Sequence, residues 1–92
     1  MNSDAKTAWE RYGLPDYMLP GMDLYLNHQI PPGDFLTAVL NNDLLQACAS
    51  ADDTNRHLLF QYIRWLYNYA PSGTWGHAKA VEYHTAKEEI SL

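Results

Sequence analysis

Apolar residues along the chain recur at three- and four-residue spacing, and nowhere alternate over the length a half-buried strand needs, so the pattern predicts an all-α fold. Ala5, Ala8, Trp9 and Tyr12 fall on one stripe of a first helix, which Ser3 or Asp4 caps and Gly13 with Pro15 ends. Met22, Leu24, Tyr25 and Leu26 predict a short helix ending near His28, and its start is placed after Pro20-Gly21 because proline interrupts a helical run. Pro31-Pro32 push the chain into an extended lead-in, so Pro31-Pro32-Gly33-Asp34 reads as a rigid start to a third helix with Asp34 accepting amide hydrogen bonds in its first turn. Phe35, Leu36, Val39 and Leu40 supply the apolar face of that helix. The side chains of Asn41-Asn42-Asp43 then compete with the helical backbone, which gives two short helices or one bent one, with Leu44, Leu45, Ala47 and Cys48 continuing the stripe to about Ser50.

The widest stripe comes next. Leu58, Leu59, Tyr62, Ile63, Leu66 and Tyr69 predict a helix over about 53–70, started by Asp52 or Asp53 and ended by Pro71 and Gly73, with Leu59, Ile63 and Leu66 as its core line. At about 18 residues it is the longest element, and only a central position buries such a stripe in so small a chain. It is therefore expected to be the hub of a single compact bundle of four to six short helices. Thr74 is expected to cap a last helix carrying Trp75, Ala78, Ala80, Val81, Tyr83 and Ala86, with Glu88 and Glu89 making its tail polar. The 92 residues make room for one domain, 1–92, and no internal repeat divides it.

Charge narrows the function classes. Eleven acidic against six basic residues give a net charge of −5, whose field repels phosphate backbones and anionic lipid. No apolar run approaches the roughly 18 residues of a membrane span. A lone cysteine, Cys48, and the absence of a signal-like opening segment point to a reducing cytoplasm.

Candidate chemistry is sparse, and no stretch clusters a nucleophile with a base or forms a glycine-rich phosphate loop. His77 and His84, seven apart, and Glu88 one turn on could share one side of the last helix, but they lack the ligand number and short spacing of a metal site and read as solvent-facing. His57 follows Asp53 by one turn and suits an ion pair, and His28 suits a helix C-terminus. Cys48, on a Leu/Ala face without local positive charge, reads as an inert core residue. Asp34, Asp43, Asp52 and Asp53 fall near helix starts, where capping accounts for them. No catalytic residue, cofactor or metal ligand is assigned.

Aromatic residues are the stronger clue. Seven Tyr and three Trp are present, and on a helix with the core line above, Trp65 lies at the margin and Tyr67 beyond it. Trp65, Tyr67 and Trp75 with Arg64 at the edge are therefore expected to form a partner-binding patch, covered by another protein or by a second copy of the chain. The competing reading is a helix-turn-helix-like nucleic-acid-binding regulator whose helices between Asn42 and Ala70 form the reader, leaving Arg56 and Arg64 nearly all the phosphate contacts. A small metal-binding protein or enzyme is the third.

The strings Ile30-Pro31-Pro32-Gly33-Asp34-Phe35-Leu36-Thr37-Ala38-Val39-Leu40, Asn42-Asp43-Leu44, Ala51-Asp52-Asp53-Thr54-Asn55 and Trp65-Leu66-Tyr67-Asn68-Tyr69-Ala70-Pro71, with Trp75-Gly76, resemble a widespread group of short uncharacterised phage and prophage proteins. The resemblance covers roughly half the chain and departs after Trp75-Gly76, where similar chains tend to open a helix with Ser-Pro and this one has His77-Ala78. It implies a mobile-element setting and no reaction. The expectation is a small phage- or mobile-element-encoded protein, acting in the host cytoplasm by binding a host or viral protein, with inhibition of a host defence or housekeeping protein as one version.

Overall fold

In the computed structural model, which describes residues 1–86, every regular element is helical. The order is α1 (Ser3–Arg11), a 3-10 turn (Asp16–Met18), α2 (Leu19–His28), α3 (Asp34–Leu40), α4 (Leu44–Ser50), α5 (Asp53–His57), α6 (Leu59–Tyr69) and α7 (Ala80–Thr85). The all-α expectation stands. Glu88 and Glu89 lie outside the described residues. The Cα radius of gyration, 12.7 Å, is close to the roughly 12 Å of a packed domain of this length.

Helix ends follow local chemistry, with corrections. Asn2, rather than Ser3 or Asp4, caps α1, its Oδ1 accepting the Ala5 amide at 2.8 Å. Gly13 at φ +78 then closes the helix: its amide reaches Glu10 O (3.0 Å) and the Leu14 amide reaches Trp9 O (3.1 Å), the paired bonds of a Schellman ending. Pro20 does not interrupt α2. It sits in the first turn, where an amide has no intrahelical partner to lose, so the helix starts at Leu19. Asp34 occupies the first position of α3 behind Gly33 and no side-chain bond caps that helix, so its carboxylate acts on the dipole alone. Asn42 takes the left-handed region at φ +60 and Asp43 accepts the Gln46 amide at 3.1 Å, which makes α3 and α4 two helices.

The long helix over 53–70 is also corrected. Leu58, at φ −105 and ψ 7, ends α5 with a three-residue bond from its amide to Asn55 O (3.1 Å), while its own carbonyl accepts the Tyr62 amide to open α6 (3.0 Å). Its role as hub passes to α3. Five of the seven α3 residues are buried, and α3 packs on α4, α6 and α7. The last helix is shorter than expected, starting at Ala80: Thr74 hydrogen-bonds back to Pro71 O (2.7 Å) instead of capping, and the Val81 amide is taken by the Asn41 side chain at 3.0 Å. Gly76 N–H donates to Leu40 O (2.8 Å), tying the preceding loop to the end of α3.

The core is aromatic. Trp9 meets Trp65 and Tyr62 edge-to-face at 5.1 and 5.7 Å between ring centroids, and Phe35 meets Tyr62 at 5.2 Å. Both buried indoles donate, Trp9 to Pro15 O (2.9 Å) and Trp65 to Ala5 O (2.8 Å), so α1 is joined to α6 by packing and by a hydrogen bond. Tyr62 OH donates to Asn55 Oδ1 at 2.5 Å, and Tyr25 OH to Thr74 O at 2.7 Å. Burial pushes the Tyr25 phenol up to about 12 and raises that of Tyr62 as well. The folded chain therefore holds these two protons where an unfolded tyrosine, with its pKa near 10, has released them. The stability they carry is present in full below about pH 10 and is lost as pH rises towards and through the folded values. Urea midpoints are expected to fall steadily above pH 10; a midpoint unchanged to pH 11.5 would contradict this placement of the two phenols.

Candidate functional site

An apolar cleft lies between the α3–α4 pair and α6. Ala38 and Val39 of α3 and Ala47 of α4 form one wall and floor, Leu59, Phe60 and Ile63 of α6 form the other wall, and Leu44 with Asn42 and Asp43 stands at one end. It encloses about 340 Å³, a volume at the lower end of ligand-sized pockets. Its rim is built of large side chains held in water: Phe60 is 73% exposed and Leu44 69%. Tyr67, 77% exposed, continues the α6 rim one turn beyond Ile63.

Local sequence explains why these residues stand outside. The buried face of α6 is Tyr62, Trp65 and Leu66, with Tyr69 packed against it, a spacing of i, i+3, i+4, i+7. Phe60, Ile63 and Tyr67 form a second apolar stripe at i, i+3, i+7 on another side of the same helix. A helix this apolar has more face than a small core can cover. Across the cleft, Asp43 starts α4 so that Ala47 points inward while Leu44 and Leu45 point out, a correction to the expected inward Leu44 and Leu45.

The expected patch is rearranged accordingly. Trp65 is 1% exposed and belongs to the core, because α6 buries the side that carries Tyr62, Trp65 and Leu66 and not the whole assumed line of Leu59, Ile63 and Leu66. Of that line Leu66 is fully buried, Leu59 half-buried and Ile63 exposed. Trp75 is half-buried against the core, and the Arg64 guanidinium lies 4.2 Å over the Tyr12 ring, on the α1 side. Tyr67 alone of the four is a freely presented aromatic. Arg56 bonds Asp53 Oδ1 (2.8 Å), Ala51 O (2.9 Å) and Cys48 O (3.3 Å), so both arginines that a nucleic-acid reader would need are engaged within the chain.

Several titratable groups elsewhere make bonds within the fold. His84 is not solvent-facing: it is buried, with Nε2 2.8 Å from Tyr25 O and its ring edge-on to Tyr25 at 4.7 Å. His77 precedes α7 and lies 3.3 Å from Gly73 O, and Glu88 lies outside the described residues, so the presumed shared face of these three is not formed by His77 and His84. Among the described residues no group of three or more His, Cys, Asp or Glu side chains is placed to hold a metal ion. Cys48 is half-buried. Asp52 accepts the Asn55 amide (2.7 Å) and the Tyr17 hydroxyl (3.0 Å), bonds that hold its carboxyl below the usual range and raise the Tyr17 phenol in turn. Asn55 carries this chain of bonds inward to Tyr62, which ties α5 to the core.

No helix among the described residues is long and apolar enough to cross a membrane. Comparison with protein-family models, with curated proteins and with solved structures found no match to this chain.

Proposed function

We propose that the protein works by binding another protein through the cleft between α3–α4 and α6, with Phe60, Ile63 and Tyr67 as its anchors and Leu44 at the far rim. The observation that carries this reading is the second apolar stripe on α6, which borders an apolar recess and is not used by the core. Contiguous exposed apolar surface of this kind marks interaction sites in small folded domains, and aromatic anchors beside a recess are the residue types that dominate binding energy. The resemblance of the Pro31–Leu44 and Trp65–Pro71 strings to phage proteins supports a mobile-element origin. In that setting the bound protein belongs to the host or the virus, the compartment is the host cytoplasm, and inhibition of a defence or housekeeping protein is the form the activity takes.

Phe60→Ser tests the reading directly. The residue lies in the first turn of α6, mostly in water, so the substitution is expected to move stability by no more than about 0.5 kcal/mol. Cross-linking capture from host lysate with the native chain and with Phe60→Ser is expected to show proteins that the native chain alone retains. Retention of the same proteins by both would overturn the assignment of this face.

A further inference from the structure

We infer that the occupant of the cleft is an amphipathic α-helix bearing a lysine or arginine beside its apolar stripe, a proposal that rests on the protein-binding reading above. The shape argues for a helix. The α6 rim from Phe60 to Tyr67 runs seven residues, about 10 Å or two helical turns, and the recess beside it is a groove between helices. Two or three side chains from successive turns of a partner helix fill such a groove, whereas an added strand needs a sheet edge and the regular elements described here are all helical.

The charges argue for the flank. Asp43 is the one charged residue lining the cleft, at its Asn42 end. The segments that build the cleft, 34–50 and 59–69, otherwise carry only Asp34 and Arg64 as charged groups, and Arg64 is drawn across to Tyr12. An apolar stripe with a cation beside it would therefore gain at Asp43, and one with a carboxylate there would be repelled. A second copy of the chain is the poorer fit. Its own exposed stripe offers Arg64 as the only cation on α6, already held over Tyr12, and each copy brings a net charge of −5.

The probe is a fluorescein-labelled helical peptide of about sixteen residues, with leucines at i, i+3, i+4 and i+7 and lysines flanking them, compared by anisotropy with the same peptide carrying glutamates. Native protein is expected to bind the lysine peptide at least about tenfold tighter than the glutamate peptide. Phe60→Ser is expected to abolish that binding. Asp43→Asn keeps the α4 cap, since asparagine caps as well as aspartate, and is expected to lower affinity for the lysine peptide about two- to fivefold and flatten its salt dependence. Equal binding of the two peptides, or no change with Phe60→Ser, would overturn the inference. So would a dimer in light scattering that Phe60→Ser disperses, which would give the cleft to a second copy. If lysate partners are still lost with Phe60→Ser while the peptides bind equally, the helix chemistry falls and the protein-binding reading stands.

Discussion

Trp65→Ala is expected to remove a large share of the stability of the fold. The indole is 1% exposed, stacks edge-on against Trp9 at 5.1 Å and donates to Ala5 O at 2.8 Å, so its removal opens a cavity between α1 and α6 and loses a buried hydrogen bond. Truncating a buried tryptophan costs about 3 to 5 kcal/mol, against a total of about 5 to 15 for a domain of ordinary stability. At about 4 to 8 °C per kcal/mol for a chain of this length, the melting temperature falls by more than about 12 °C. Trp65→Phe keeps an aromatic ring but loses the donor and part of the buried volume, at a smaller cost of about 1 to 3 kcal/mol. Thermal melts of the two variants check both steps. A Trp65→Ala protein melting within a few degrees of native would return Trp65 to the surface and with it the aromatic patch expected from the sequence.

What the sequence revealed and what it hid divide along one physical line. Helix existence depends on spacing within a segment, and all the regular elements described here are helical. Local caps were legible at Asp43 and Asp52, while at α1 the cap fell on Asn2, next to the expected Ser3 or Asp4. They were hidden where the partner came from elsewhere: the Val81 amide of α7 is served by Asn41, forty positions away, and no pattern near Thr74 announces that. The face of α6 was hidden for a different reason. Leu59, Phe60, Tyr62, Ile63, Trp65, Leu66, Tyr67 and Tyr69 leave few polar positions, so two stripes compete and spacing alone does not choose between them. The choice is made by α1, whose Trp9 ring and Ala5 carbonyl receive Trp65. The cleft is the remainder of that choice, and for that reason the exposed row of Phe60 and Ile63 could be named only once the core was known.

Leu66→Ala and Ile63→Ala are expected to separate the two stripes. Both residues belong to the apolar series read from the sequence, and both changes delete an aliphatic side chain from the same helix. Leu66 is fully buried on α6, a helix that packs on α1 and α3, and its truncation leaves a closed void at a cost of about 2 to 5 kcal/mol. Ile63 is 38% exposed on the wall of the cleft, so it has no closed cavity to leave behind and its truncation forfeits only partial burial, about 1 kcal/mol. The order reverses for binding. Ile63→Ala is expected to weaken retention of whatever partner Phe60→Ser loses, while the folded fraction of Leu66→Ala retains it. Urea unfolding of the two variants beside native gives the stability order, and capture at a temperature where both remain folded gives the binding order. Equal destabilisation by the two substitutions would mean that α6 buries both stripes and leaves no anchor row for a partner.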